Sequence, residues 1–178
     1  FYESDLVAHE SVKEHLLQDL PGVEQKPFTA SPVNFIDTAG AGYDEEEVNE
    51  SKRNVNEAQL ATRKVRCLLE TGLAPEHIAV IAPYSAQVKL LRELLDVPGL
   101  EIDSVDGFQG REKEAVVLSM VRSNPEGNIG FLADVRRINV ALTRARRKLI
   151  VIGDSATLAN HPFYQRMLTY FEQIGAYG

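Results

Sequence analysis

The sequence predicts an α/β domain with a mainly parallel sheet and helices on both faces, and three observations lead there. The runs HIAVIAP, EAVVLSMV and LIVIG are short, β-branched and almost wholly apolar, the pattern of strands covered on both sides. Amphipathic helical stretches alternate with them. A chain of 178 residues makes one domain, able to bury roughly 70% of its unfolded surface without disulfide or metal.

Taken in order, SVKEHLLQDLPG reads as a short helix stopped by Pro21 and Gly22. VNFID is a strand, followed by a loop, TAGAGYDEEE. From Val48 to Leu69 apolar residues hold one helical stripe that Gly72 closes, and DEEEVNE reads as that helix's solvated, acidic entrance. Cys67 takes an apolar-compatible place on it and is expected to pack. HIAVIAP is a buried strand, and SAQVKLLRELL is a helix with Val88, Leu91 and Leu95 inward. LEIDSV and EAVVLSMV are two further strands. A basic helix follows, then the strand LIVIG and a helical region from Ser155 to Ile174. Ligands of such sheets bind beyond the carboxyl ends of the strands, where DTAG, APYSAQ, SVDGFQG and GDSAT fall.

Composition narrows the function. The single cysteine allows no intrachain disulfide and no CxxC zinc pair, which suits a reducing compartment, cytoplasmic or, in a eukaryote, also nuclear. His9, His15, His77 and His161 lack ligand spacing, so no metal site is expected. No apolar run approaches the ~18 residues of a membrane span, and no signal peptide opens the chain. It begins at Phe1, without methionine, and reads as a piece of a longer protein. With 26 acidic against 19 basic residues the net charge is −7, which argues against binding nucleic acid through bulk charge but not against a local site.

One stretch runs against that balance. Arg136 to Lys148 holds five arginines, one lysine and no acid. Continued as a helix, it places Ile138, Ala141, Leu142 and Ala145 on the apolar face. Arg137 and Arg144 lie along the edge of that face, where a charge needs a partner. Arg136 and Arg147 point away and read as solvated. Arg137 is open to two readings, ion pairs with neighbouring carboxylates or a nucleotide contact. For Arg144 a phosphate is favoured, because a planar, permanently charged guanidinium with five donors is suited to clamp one.

Upstream, SVDGFQGREKEAVVL sets Gly107 and Gly110 in a tight loop between two strands. Glycines there let backbone N–H groups approach a ligand closely, although GxxG alone is also a plain turn. Asp106, Gln109, Arg111 and Glu112 share the loop, and an acid just past the glycines can accept hydrogen bonds from a ribose.

Together these segments carry a resemblance. SVDGFQGREKEAVVLSMVRSN followed by GFLADVRRINVALTRARRKLIVIGD resembles motifs V and VI of superfamily-1 helicases, in the branch of the nonsense-mediated-decay and immunoglobulin mu-binding helicases. FYESDL, SKRNVNEA and IAVIAPYSAQVKLL extend the likeness over nearly the whole chain. FIDTAGAG leans toward the immunoglobulin mu-binding type. The resemblance implies a RecA-like fold and makes residues 1–178 the second, C-terminal motor domain of an ATP-dependent DNA or RNA helicase. It implies Arg144 as an arginine finger on the γ-phosphate and Glu112 as the ribose ligand. Gln109 and Gly110 would lie beside the phosphates, and Arg137 is the further candidate for the nucleotide. Pro83, Tyr84 and Gln87, with Ser104 and Val105, would hold single-stranded DNA or RNA.

Several parts of such a motor are missing from the sequence. There is no GxxxxGK(S/T) phosphate loop and no apolar strand ending in paired acids for magnesium. ATP and Mg2+ would then be held mainly by the first RecA-like motor domain of the same chain, and the protein would act as a monomer, moving 5′-to-3′ as the branch implies. DTAG imitates a GTPase box without the phosphate loop a GTPase needs. A non-hydrolytic nucleic-acid-binding module that kept the motor fold, and an interaction domain using the acidic DEEEVNE edge, are the other readings.

Overall fold

The computed structural model describes residues 15–177. Phe1 to Leu6 of the FYESDL likeness, and the first residues of the expected leading helix, lie outside that range. Of that helix's remainder, Leu17–Asp19 form a single 3-10 turn. The chain continues through a short helix α1 (Pro27–Ala30), strand β1 (Val33–Asp37), and a hairpin of β2 (Glu46–Val48) and β3 (Ser51–Arg53). Helix α2 (Val55–Glu70), strand β4 (Ile78–Ala82) and helix α3 (Ser85–Leu94) follow. Then come β5 (Glu101–Ser104), β6 (Lys113–Ser119), helix α4 (Val135–Leu142) and β7 (Ala145–Gly153). Helices α5 (Ser155–Leu158) and α6 (Pro162–Gln173) end it.

Five strands make one sheet in the order β1-β7-β6-β4-β5, with every neighbouring pair parallel. The expected RecA-like α/β architecture is present. Alternate residues face opposite sides, as strand geometry requires. Ala79, Ile81, Val116, Leu118 and Val151 join Ile138 and Ala141 of α4 and Tyr164 and Phe171 of α6 on one face. Ile78, Val80, Val117, Ile150 and Ile152 join Ala58, Ala61, Val65 and Leu68 of α2 and Val88 and Leu91 of α3 on the other. Burying each Val or Ile this way contributes about 1.5–3 kcal/mol over leaving it in water.

Three expectations are corrected. The helix expected from Val48 begins at Val55, because Glu46–Arg53 fold as an antiparallel hairpin with Val48 opposite Ser51. Its two-residue turn puts Asn49 (φ 48°) and Glu50 (φ 65°) in the left-handed region, as a type I′ turn demands. The basic helix stops at Leu142, since Thr143 Oγ1 donates back toward the carbonyls of Asn139 (3.0 Å) and Val140 (3.1 Å), satisfying orphan acceptors of the last turn. Ala145 to Lys148 are strand instead, so a helical wheel misplaces Arg147. It is half-buried, and its Nε donates to Glu114 Oε2 at 2.8 Å. Cys67 faces solvent rather than packing.

Candidate functional site

The carboxyl edge of the sheet carries the first group of candidates. β4 ends at Ala82, and Pro83 and Tyr84 turn the chain into α3. The hairpin docks against this turn: Ser51 Oγ accepts from the Ala86 N–H at 3.1 Å and lies 3.2 Å from Ser85 Oγ. Ser104 sits beside Ala82 in the register, and its Oγ accepts from the Gly107 N–H at 3.0 Å. Val105, just beyond it, is buried. An open groove of about 410 Å³ runs here between α3 and β5, lined by Ser85, Lys89, Arg92 and Ser104 among others.

Gln87 is not in that groove. It has no exposed surface, and its side chain is fully engaged. Its Oε1 accepts from the Asn54 N–H (2.9 Å), and its Nε2 donates to Asn54 O (3.1 Å) and Ser119 Oγ (2.9 Å). A direct contact of Gln87 with a strand is therefore not available in this conformation. The amide instead ties α3 to the start of α2 and the end of β6.

Glu57 completes this buried knot. Its Oε1 accepts from Ser119 Oγ (2.7 Å) and from the Val121 N–H (2.8 Å), while Oε2 has no partner. Burial raises its pKa to about 7, although both hydrogen bonds favour the ionised form. Val121 adopts φ 72°, a costly conformation for a β-branched residue, roughly 1–3 kcal/mol. Asn54 Nδ2 and Glu57 hold it there. In the sequence the signal for this knot is a lone carboxylate on the apolar face of α2.

A second buried pair supports Tyr84. Arg122 Nε donates to Glu45 Oε2 at 2.7 Å, and Arg122 Nη1 donates to the Tyr84 hydroxyl at 3.2 Å. Burial works to raise the Glu45 pKa, but hydrogen bonds from Arg122, Asn124 and the Ser123 N–H outweigh it and lower it below the usual range. Arg122 and Glu45, which sequence reasoning does not single out, thus set the position of a candidate ligand-facing tyrosine.

The glycine loop is where sequence and structure differ most usefully. It leaves β5 at the carboxyl edge, level with Ala82, but enters β6 at Lys113, whose partner is Ala145 at the opposite, amino edge. The loop crosses the sheet face that carries α4, and Phe108, fully buried, joins the core there. Gln109, Gly110 and Glu112 are exposed, and Glu112, paired with Arg146 of β7, lies at that amino edge. Gly110 takes φ +80° with open space where a side chain would stand. Glu112 is not in the carboxyl-end crevice with Tyr84 and Ser104; the loop's crossing separates them.

Arg144 lies at the same amino edge. It follows α4 directly, and its carbonyl accepts from the Lys113 N–H at 3.0 Å, beside Glu112. Its Nε donates to Val140 O (2.9 Å) and its Nη2 to Thr143 Oγ1 (3.1 Å). It is half-buried, and among the described residues no carboxylate lies within ion-pair distance of it. Of the other cations in this stretch, all but the exposed Arg136 are committed. Arg146 pairs with Glu112 at 3.1 Å, and Arg147 pairs with Glu114. Arg137 meets Asp106 at 3.3 Å and Asp134 at 3.5 Å. Arg137 is thus engaged by ion pairs, the first of its two readings. Lys148 is buried, its Nζ donating to Ser31 O (2.6 Å) and to Asn34 Oδ1. Burial, with Lys64 adding to it, lowers its pKa to about 7.

Residues 1–156 match the family model described as AAA domain. The chain belongs to that family. Among its relatives, the chain is 53% identical over 178 residues to the DNA-binding protein SMUBP-2 of Rattus norvegicus, covering 98% of this chain. It is 46% identical to the DNA polymerase alpha-associated DNA helicase A of Schizosaccharomyces pombe, over 97% of this chain. It is 36% identical to the regulator of nonsense transcripts 1 of Dictyostelium discoideum, over 96% of this chain. The chain spans 18%, 28% and 13% of those three proteins, respectively. These relatives and the domain place it in the superfamily-1 helicase branch that its motifs resemble. No helix among the described residues is long and apolar enough to cross a membrane.

Proposed function

We propose that this AAA domain is the second, C-terminal motor domain of an ATP-dependent helicase that moves 5′-to-3′ along single-stranded DNA or RNA. It supplies Arg144 to the γ-phosphate and Glu112 to the ribose of an ATP held mainly by the first motor domain, with Gln109 and Gly110 beside the phosphates. Pro83, Tyr84, Ser104 and the backbone at Val105 form part of the strand's path, and Gln87 positions that turn from within. Mg2+ would be held, with ATP, mainly by the first motor domain of the same chain.

The observation that carries this reading is Arg144. Among the described residues this half-buried guanidinium is held by a carbonyl and a hydroxyl alone, while Arg137, Arg146 and Arg147 have found carboxylates, so it is a charge still wanting an anion. A γ-phosphate arriving across an interdomain cleft would supply it and draw the domains together. Hydrolysis would release it, and the strand would advance.

Steady-state ATPase assays on the complete protein test this. Arg144→Ala should lower turnover by at least ~10²-fold, a bound set below the ~10³–10⁵ that such fingers contribute, and should change ATP affinity much less. Arg144→Lys should fail largely, because an ammonium cannot reproduce a two-pronged contact. Arg136→Ala, removing an exposed charge of the same stretch, should stay within a few fold. Equal losses at both positions, or an active Arg144→Lys, would reduce the stretch to a general electrostatic patch.

A further inference from the structure

The loop from Asn124 to Ala133 presents one feature that the motor reading leaves unused. Phe131 is 49% exposed, and a single exposed phenylalanine is ordinary. What sets this one apart is that its surroundings are built to keep it outside. Asn124 and Asn128 bond reciprocally: Asn124 Nδ2 donates to Asn128 O, and the Asn128 N–H donates to Asn124 Oδ1, both at 2.8 Å. Asn128 Oδ1 accepts from the Gly130 N–H at 2.8 Å. Gly130 has φ +49°, and a Cβ there would collide with Arg122 Nη1 and lie 3.1 Å from the Tyr84 hydroxyl. On the other side Leu132 is fully buried, its carbonyl accepting from the Tyr164 hydroxyl at 2.5 Å. With both neighbours fixed, the backbone of Phe131 is held in place and half of its surface stays open to solvent.

That ring does not stand alone. The Phe131 N–H donates to the Tyr84 hydroxyl at 3.1 Å, and the two rings lie 6.0 Å apart, tilted by 55°. The Arg137 guanidinium sits over the Phe131 ring, 4.5 Å from its centroid, within cation–π range. Two aromatic rings and a cation form a row at the carboxyl edge, beginning at Tyr84.

We propose that Phe131 is a base-stacking platform, receiving a nucleobase of the single strand where its path passes Tyr84. The site rests on the motor reading's assignment of Tyr84 to the strand path and adds a residue to it. A flat apolar ring, already fixed in position and flanked by a guanidinium, takes any base by its π-face without reading its identity. It also explains Arg137, whose role is to brace the ring rather than to touch nucleotide.

The test uses the complete protein and a single-stranded oligonucleotide carrying 2-aminopurine, titrated at one fixed salt concentration. Phe131→Ala should weaken binding roughly 5- to 150-fold, the equivalent of one lost stack. Phe131→Leu keeps the bulk and loses the π-face, so it should weaken binding nearly as much, while Phe131→Trp should stay within about threefold. On the same strand with an abasic tract in place of its bases, the Leu and Trp variants should bind alike. Should Phe131→Ala fail to fold, the Leu and Trp pair still decides. Wild-type affinity in Phe131→Leu, or the same Leu-to-Trp difference on abasic strand, overturns the platform while leaving the motor reading intact. A wild-type protein that binds no single strand overturns the motor reading, and the platform with it.

Discussion

Glu57 and Arg147 show what single side chains contribute here. The folded-state pKa of Glu57, about 7, lies above the ordinary carboxylate value of roughly 4.3. The native protein therefore holds a proton that the unfolded chain releases between those values. Its stabilising effect is full below about pH 4.3 and is lost as pH rises through about 7. Glu57→Gln should remove this dependence, so its stability relative to wild type should improve by about 1–3 kcal/mol between pH 4.5 and pH 8. Urea unfolding at the two pH values checks it, and parallel curves would mean that Glu57 stays ionised. Arg147, which a helical wheel exposes, is engaged by Glu114 and by the Leu16 carbonyl at 3.2 Å. Arg147→Ala should cost about 1–2 kcal/mol, whereas a loss of a few tenths would return it to the surface. Arg144, Glu112 and Tyr84 can be found in the sequence because each sits in a motif. Glu45 lies outside every motif, and Arg122 and Phe131, though inside two of them, show their roles only through partners distant in the chain.

Among the elements, the buried strands and amphipathic helices are legible because burial on both faces leaves runs such as IAVIA with no polar interruption. Two elements are hidden for different reasons. β7 begins four residues before its apolar run, because Ala145–Lys148 place their polar ends on carboxylates and carbonyls that local periodicity cannot reveal. The β2–β3 hairpin is hidden because its turn reads Asn-Glu rather than Asn-Gly, so nothing announces two consecutive left-handed residues. Glutamate is strained at position 50, where φ is 65°. Glu50→Gly should therefore stabilise the protein by about 0.5–1 kcal/mol, read as a rise in melting temperature. A fall would show that the Glu50 side chain makes a contact that outweighs the strain.

At the scale of the whole molecule, the reading is of half a motor. A chain without a phosphate loop has nowhere of its own to hold triphosphate. This chain alone, highly purified, should release no phosphate above background with Mg2+, ATP and single-stranded nucleic acid together. Magnesium-dependent turnover would overturn the half-site reading. The position of the two candidate regions gives that half its use. Ser104 and Glu112 end one short loop, nailed at its middle by the buried Phe108 and anchored at the two opposite edges of the sheet. Such a segment can act as a beam on a pivot, so that a ligand settling at one end would bias the other. Reciprocity then applies: whatever factor bound nucleotide imposes on grip of the strand, the strand must impose on grip of the nucleotide. A glycine in place of Phe108 would loosen the pivot, so the two affinities should drift toward independence even if each survives.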